Sequence, residues 1–186
     1  MTTTLIIVVV VIVLLVLFII GIYNALIRLR NQVDNAWSQI DVQLKRRHDL
    51  IPNLVETAKG YMKHERGTFE AITQARSQAM GAKSVAEASK AEGALGEALS
   101  KFMLVVENYP DLKANQNFLS LQEELTGTEN KISFSRQSYN DQVLFFNNKI
   151  QMFPSNIVAN MFSFGKRDFF EIEHAEEREV PKVSFT

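Results

Sequence analysis

Cysteine is absent from the 186 residues. That excludes disulfides, thiolate metal sites, cysteine nucleophiles and a lipid-modified N-terminal cysteine. Proline and glycine are sparse, with 4 and 8 residues, so long helices are expected over a many-turned β fold. Only 3 histidines are present. The formal net charge is −1, so the basic excess of a nucleic-acid binder is missing and no nucleic-acid partner is expected. Charge is also missing locally: no Asp, Glu, Lys or Arg occurs from Thr2 to Ile27.

What fills that uncharged segment is a run of Leu, Ile and Val. Leu5 to Ile22 is 18 residues of nearly pure aliphatic sequence. As a helix it would reach ~27 Å, close to the ~30 Å hydrocarbon core of a bilayer. A lone span in lipid must be helical, because its backbone groups have no other partners. Tyr23 follows at the interface, where an aromatic ring with a polar tip is favoured. A cleaved signal peptide would carry a basic start, a shorter apolar core and a small-residue cleavage site. The leading MTTT has no basic residue, and no such site follows. We therefore expect an uncleaved anchor over residues 1–27, with the bilayer as partner of Leu5 to Ile22. Basic residues lie only after the span, at Arg28 and Arg30 and then Lys45, Arg46 and Arg47. The positive-inside rule then puts the N-terminus outside and the body in the cytoplasm.

Beyond the anchor, helical periodicity dominates. Apolar residues recur at Leu26, Leu29, Val33, Ala36 or Trp37, Ile40, Leu44, Ile51, Leu54 or Val55, Ala58, and Tyr61 or Met62. Arg47 or His48 interrupts the stripe. The phase is kept across Pro52, although proline costs an interior helix roughly 3 kcal/mol. Two topologies result. In one, a kinked helix runs on to about Met80. In the other, the chain reverses at Pro52, with Asp49 capping a helix from Leu50. The kinked form is preferred, because QLKRRHDLIPNL lacks the short Gly-containing loop of a helical hairpin. Gly81 is the expected stop. A further helix spans Ser84 to Tyr109 before Pro110, and PDLKAN reads as a turn. The last long helix carries Phe118, Leu121, Leu125, Thr128, Ile132, Ser135, Tyr139, Val143, Phe146, Ile150 and Phe153 at steps of three or four. That spacing implies coiled-coil-like helix packing. The tail, residues 155–186, holds aromatic, basic and acidic clusters and is expected to be partly disordered.

These residues resemble the LemA family of bacterial single-span membrane proteins. The resemblance covers nearly everything from Tyr23 to Pro154. It rests on YNALIRLRNQVDNAWSQIDVQLKRRHDLIPNLVETAKGY (23–61), ENYPDLKAN (107–115), LQEELTGTENKISFSRQSYND (121–141) and FNNKIQMFP (146–154). It implies an N-terminal anchor in a bacterial inner membrane, a helical bundle over residues 28–154 and no established biochemical activity. It also carries a link to bacterial membrane and organelle organisation. The combined expectation is an all-α chain: a transmembrane helix continuous with an elongated antiparallel up-and-down bundle, of three long segments if kinked at Pro52 and four if reversed.

No chemistry emerges. HERGT at His64 and Glu65 puts Thr68 where a zinc protease needs its second His. His48 and Asp49 are helix neighbours about 100° apart, so the simpler reading is a surface His and a capping Asp. Gly93 and Gly96 lack the context of a phosphate loop and read as small packing residues. No catalytic residue, metal site or cofactor is assigned, and no enzyme is expected. Instead, Val33, Trp37, Ile40 and Leu44 form a candidate association stripe for homo-oligomers, unpartnered if the helix is merely kinked. Lys45, Arg46 and Arg47 are a candidate protein-binding cluster. A rigid helix carries them about 25 Å beyond Arg28, past a Debye length of ~8 Å, so their own bilayer would hardly attract them. The expected role is a membrane-anchored scaffold, with an adaptor or regulator of a membrane protease, chaperone or envelope enzyme as the alternative.

Overall fold

The computed structural model describes residues 2–171. Six helices and no strand occur among them: α1 Thr2–Lys59, α2 Arg66–Met80, α3 Val85–Val106, α4 Pro110–Lys113, α5 Gln116–Gln151 and α6 Ser155–Met161. The chain is all-α, a long apolar N-terminal helix followed by a helical bundle. It divides into two compact units. One holds 2–41 with 134–168, the other 42–133 with 169–171. Helices α1 and α5 supply residues to both.

The helix α1 runs unbroken through Pro52 for 58 residues. The chain therefore does not reverse at Pro52. Nor does the helix reach Met80: it stops at Lys59, and the turn lies at Gly60 to Glu65. Glycine is a weak helix former. The amides of Tyr61 and Met62 both bond the Ala58 carbonyl at 2.9 Å, closing a tight turn. Burial of Met62 then fixes the reversal. Periodicity alone could not show this, because the apolar repeat resumes in α2.

In the second unit, α1, α2 and α3 follow one another through short turns. Ser84 caps α3 by accepting a 3.2 Å bond from the Glu87 amide, and the Glu87 carboxylate accepts from the Lys83 amide at 2.8 Å. This resembles a capping box, except that the carboxylate takes the amide of Lys83, one residue before the cap, instead of that of Ser84. Asn115 caps α5 through the Phe118 amide at 3.0 Å. The core gathers Ile51, Leu54, Met62, Ile72, Leu95 and Phe102. The Phe102 ring lies 6.2 Å from Phe69 and 6.3 Å from Phe118.

In the first unit, Val33, Ala36, Ile40, Tyr139, Val143, Phe146 and Ile150 are buried. The expected stripe from Val33 to Leu44 is thus no open surface: Val33, Ile40 and Leu44 are all buried within this chain. Trp37 is half-buried, its ring 5.5 Å from Tyr139. The start of the tail folds into α6, and Ser155, Val158 and Ala159 are buried. Arg167 is tied to Asn147 by two bonds of 2.9 Å, one from the Asn147 side-chain amide and one to its carbonyl oxygen. Residues 172–186, where the acidic run continues, lie outside the described residues.

Candidate functional site

The densest charge cluster of the second unit starts on one turn of α1. Leu44, Arg47, His48 and Ile51 share an inward face at helical spacing, and all four are buried. Each residue turns about 100° from the last, so the basic triplet splits. Lys45 and Arg46 are exposed, while Arg47 points inward. A cation inside a protein requires a partner. Glu92 of α3 supplies it, with its Oε2 3.2 Å from Arg47 Nη1 and its Oε1 2.6 Å from His48 Nε2. The Glu92 side chain is 1% exposed. Glu129 of α5 adds a second carboxylate 3.2 Å from Arg47 Nη1, on a half-exposed side chain. Arg46 reaches Glu124 at 3.5 Å in the open.

His48 is therefore not a surface residue, and its partner is Glu92 rather than the exposed Asp49. Sequence reasoning missed Glu92. Its signal lies in the series Ala88, Glu92, Leu95, Leu99, Phe102, Val106, whose members are all buried. One acid at an apolar position of α3 answers the polar break at Arg47 and His48 in α1.

Both Glu92 oxygens are engaged, and Arg47, His48 and Glu92 are buried, with Glu129 at the solvent edge. Its arrangement braces α1, α3 and α5 rather than presenting a reactive group. Gly96 lies beside it, where an added Cβ would meet Arg47 Nη2 at 3.7 Å. Next to the cluster, a shallow groove of ≈ 650 Å³ is lined by Leu99, Met103, Leu104 and Leu125, with Arg47 and Glu129 also on its wall. Leu104 is exposed.

Elsewhere in this unit, the Tyr109 hydroxyl donates to Glu65 at 2.9 Å, joining the α1–α2 turn to the end of α3. That bond raises the Tyr109 pKa above its ordinary value. Glu65 thus has a structural partner, while His64 is exposed. No group of three or more His, Cys, Asp or Glu that could hold a metal occurs among the described residues.

The description "LemA family" matches residues 36–185. The chain belongs to the LemA family. The match runs through most of the tail, further than the motifs from Tyr23 to Pro154 suggested. Protein LemA of Metamycoplasma hominis is 30% identical over 166 residues, covering 88% of this chain and 73% of that protein. Magnetosome protein MamQ 2 of Paramagnetospirillum magneticum is 22% identical over 184 residues, covering 85% of this chain and 68% of its own. Magnetosome protein MamQ of Magnetospirillum gryphiswaldense is 21% identical with the same coverage. LemA membership, together with one N-terminal helix long and apolar enough to cross a bilayer, supports a membrane-anchored protein.

Proposed function

We propose that this LemA-family chain is a non-catalytic, membrane-anchored structural module that associates with copies of itself beside the bilayer. The observation that carries this reading lies on α5 in the first unit. Phe134 is 75% exposed and Phe145 is 58% exposed. Eleven residues apart, they fall within about 20° of one helix face. Large aromatics left in water on one face mark an association surface. A second copy is the fitting occupant, because anchors in one membrane hold every copy at the same height and bring identical faces together in register. This surface replaces the buried stripe at Val33, Ile40 and Leu44. Relatives named as magnetosome proteins support a role in membrane organisation. The one-sided placement of Arg28 and Arg30 supports a cytoplasmic body.

The test is sedimentation of the full chain in mild detergent. Wild type should run as an oligomer, and Phe134→Ser with Phe145→Ser should run as a monomer of unchanged helicity. A strictly monomeric wild type would overturn the reading. Protease added to intact spheroplasts should spare the body, and carbonate should leave the protein in the membrane pellet.

The apolar groove beside Arg47 favours a second reading, an adaptor for a membrane protein. Here Leu104→Asp should abolish co-purification of one partner without changing oligomer size.

A further inference from the structure

The first unit carries a second apolar surface that the self-association reading does not use. Within eleven residues, Met152, Phe153, Ile157, Met161 and Phe162 are each at least half exposed. Ile157 and Met161 share one face of α6, opposite the buried Val158 and Ala159. So many large apolar side chains in one short stretch mark a contact surface.

Its position identifies what covers it. The Phe162 ring lies 4.7 Å from Tyr23, and Phe164 lies 5.8 Å from the same ring. Tyr23 is the residue next to Ile22, the end of the apolar run. The contact therefore sets the end of α6 at the level where the span leaves the hydrocarbon. Seven residues of helix are only ~10 Å long, and a headgroup layer is about 5–8 Å deep, so all of α6 lies in or beside that layer. Charge agrees. No Asp or Glu occurs from Gln142 to Arg167, while Lys149, Lys166 and Arg167 do. Arg28 and Arg30 follow the span. Arg30 stacks on Phe164, 5.7 Å from its ring centre. Arg167 itself pairs with Asp34 at 3.0 Å, which leaves Lys149, Lys166, Arg28 and Arg30 as the cations that suit apolar side chains to an interfacial position on anionic lipid.

We propose that α6 and its flanks are a second membrane contact: Phe153, Ile157, Met161 and Phe162 enter the headgroup–acyl boundary beside the span. This rests on the reading of Leu5 to Ile22 as the anchor. Two attachments, one spanning and one interfacial, would fix the rotation and tilt of the body on the bilayer. A single span leaves both free. The Tyr23–Phe162 contact brings the start of the tail back to the anchor.

The absence of cysteine allows single labels in the full chain. Met161→Cys, Ile157→Cys, Leu14→Cys and Gln78→Cys would each carry an environment-sensitive fluorophore. The proteins would be reconstituted in vesicles of equal phosphatidylcholine and phosphatidylglycerol. Both α6 labels should be blue-shifted and quenched by lipid brominated high on the acyl chain, and shielded from aqueous iodide. The Gln78 label should respond to iodide alone. If the α6 labels respond to iodide alone while the Leu14 label responds to lipid, the anchor stands and the proposal is overturned. If they resist both quenchers, another protein surface covers them and the proposal is likewise overturned. A Leu14 label unquenched by lipid brominated near the chain end, the depth expected for mid-span, would overturn the anchor and the proposal together.

Discussion

Arg76 Nε donates a 2.7 Å hydrogen bond to the backbone carbonyl of His48. His48 is four residues before Pro52, and a proline has no N–H to give that carbonyl. A side chain from α2 thus satisfies the group that the proline leaves open, and α1 passes through Pro52 without ending. Arg76→Ala should cost about 1–3 kcal/mol, the penalty of an orphaned buried acceptor. Pro52→Ala restores the N–H, so the same change in that background should cost clearly less. Equal costs in the two backgrounds, read from urea unfolding of the full chain in detergent, would refute the link.

Glu92 neutralises Arg47 and bonds His48 in a closed site. Glu92→Ala leaves a buried cation with only the half-exposed Glu129, and should cost about 3–5 kcal/mol. Arg46→Ala, whose partner Glu124 is in the open, should cost under about 1 kcal/mol. If the two variants unfold at the same denaturant midpoint, the cluster is not the brace described above.

Burial pushes the Tyr139 hydroxyl up to about 12, with nearby Arg167 opposing and Asp168 and Asp34 adding to the rise. The hydroxyl also donates to the Asp168 carbonyl at 2.9 Å. In the unfolded chain the same group ionises near its ordinary value of about 10. Above that pH the unfolded state binds fewer protons than the folded one, so stability falls with rising pH. The contribution is complete below about pH 10 and is lost progressively toward about 12. Tyr139→Phe should be less stable at neutral pH but should show a shallower decline in unfolding midpoint across that window. Parallel declines would show that Tyr139 ionises as freely as in solvent.

Ile132 and Phe146 are each 1% exposed on α5. Truncation to Ala should cost about 2–5 kcal/mol at Ile132 and about 3–5 kcal/mol at Phe146. Phe134→Ala, two residues from Ile132 and facing solvent, should shift monomer stability by no more than about 0.5 kcal/mol. A cost at Ile132 as small as that at Phe134 would mean that the seam is not packed as described.

Much of the fold was legible because helix burial repeats locally. The series Phe118, Thr128, Ile132, Tyr139, Val143, Phe146, Ile150 is buried as its spacing requires, whereas Phe153, expected to end the seam, is 78% exposed because α5 stops at Gln151. Thr128 bonds back to the Glu124 carbonyl at 2.8 Å, which lets a polar residue sit in the seam. The same repeat hid the turn at Gly60, since Ala58, Met62, Phe69 and Ile72 are buried on either side of it. Periodicity reports which residues face inward and is silent on whether the next turn belongs to the same rod. The candidate site was read less well. Lys45, Arg46 and Arg47 look alike as a run, and only burial separates Arg47 from the other two.

By itself, the sequence determined the apolar anchor helix, the all-α class and the family, and it favoured continuity through Pro52 without deciding it. Each depends on hydropathy, helical phase or motif, all local along the chain. Only the tertiary structure decided that Arg47 and His48 meet Glu92, 45 and 44 residues away. It also decided that Arg76 serves Pro52, and that Phe162 returns to Tyr23. These pairings are set by which helix faces close on one another, and helical phase places a residue on a face without naming the face it will meet.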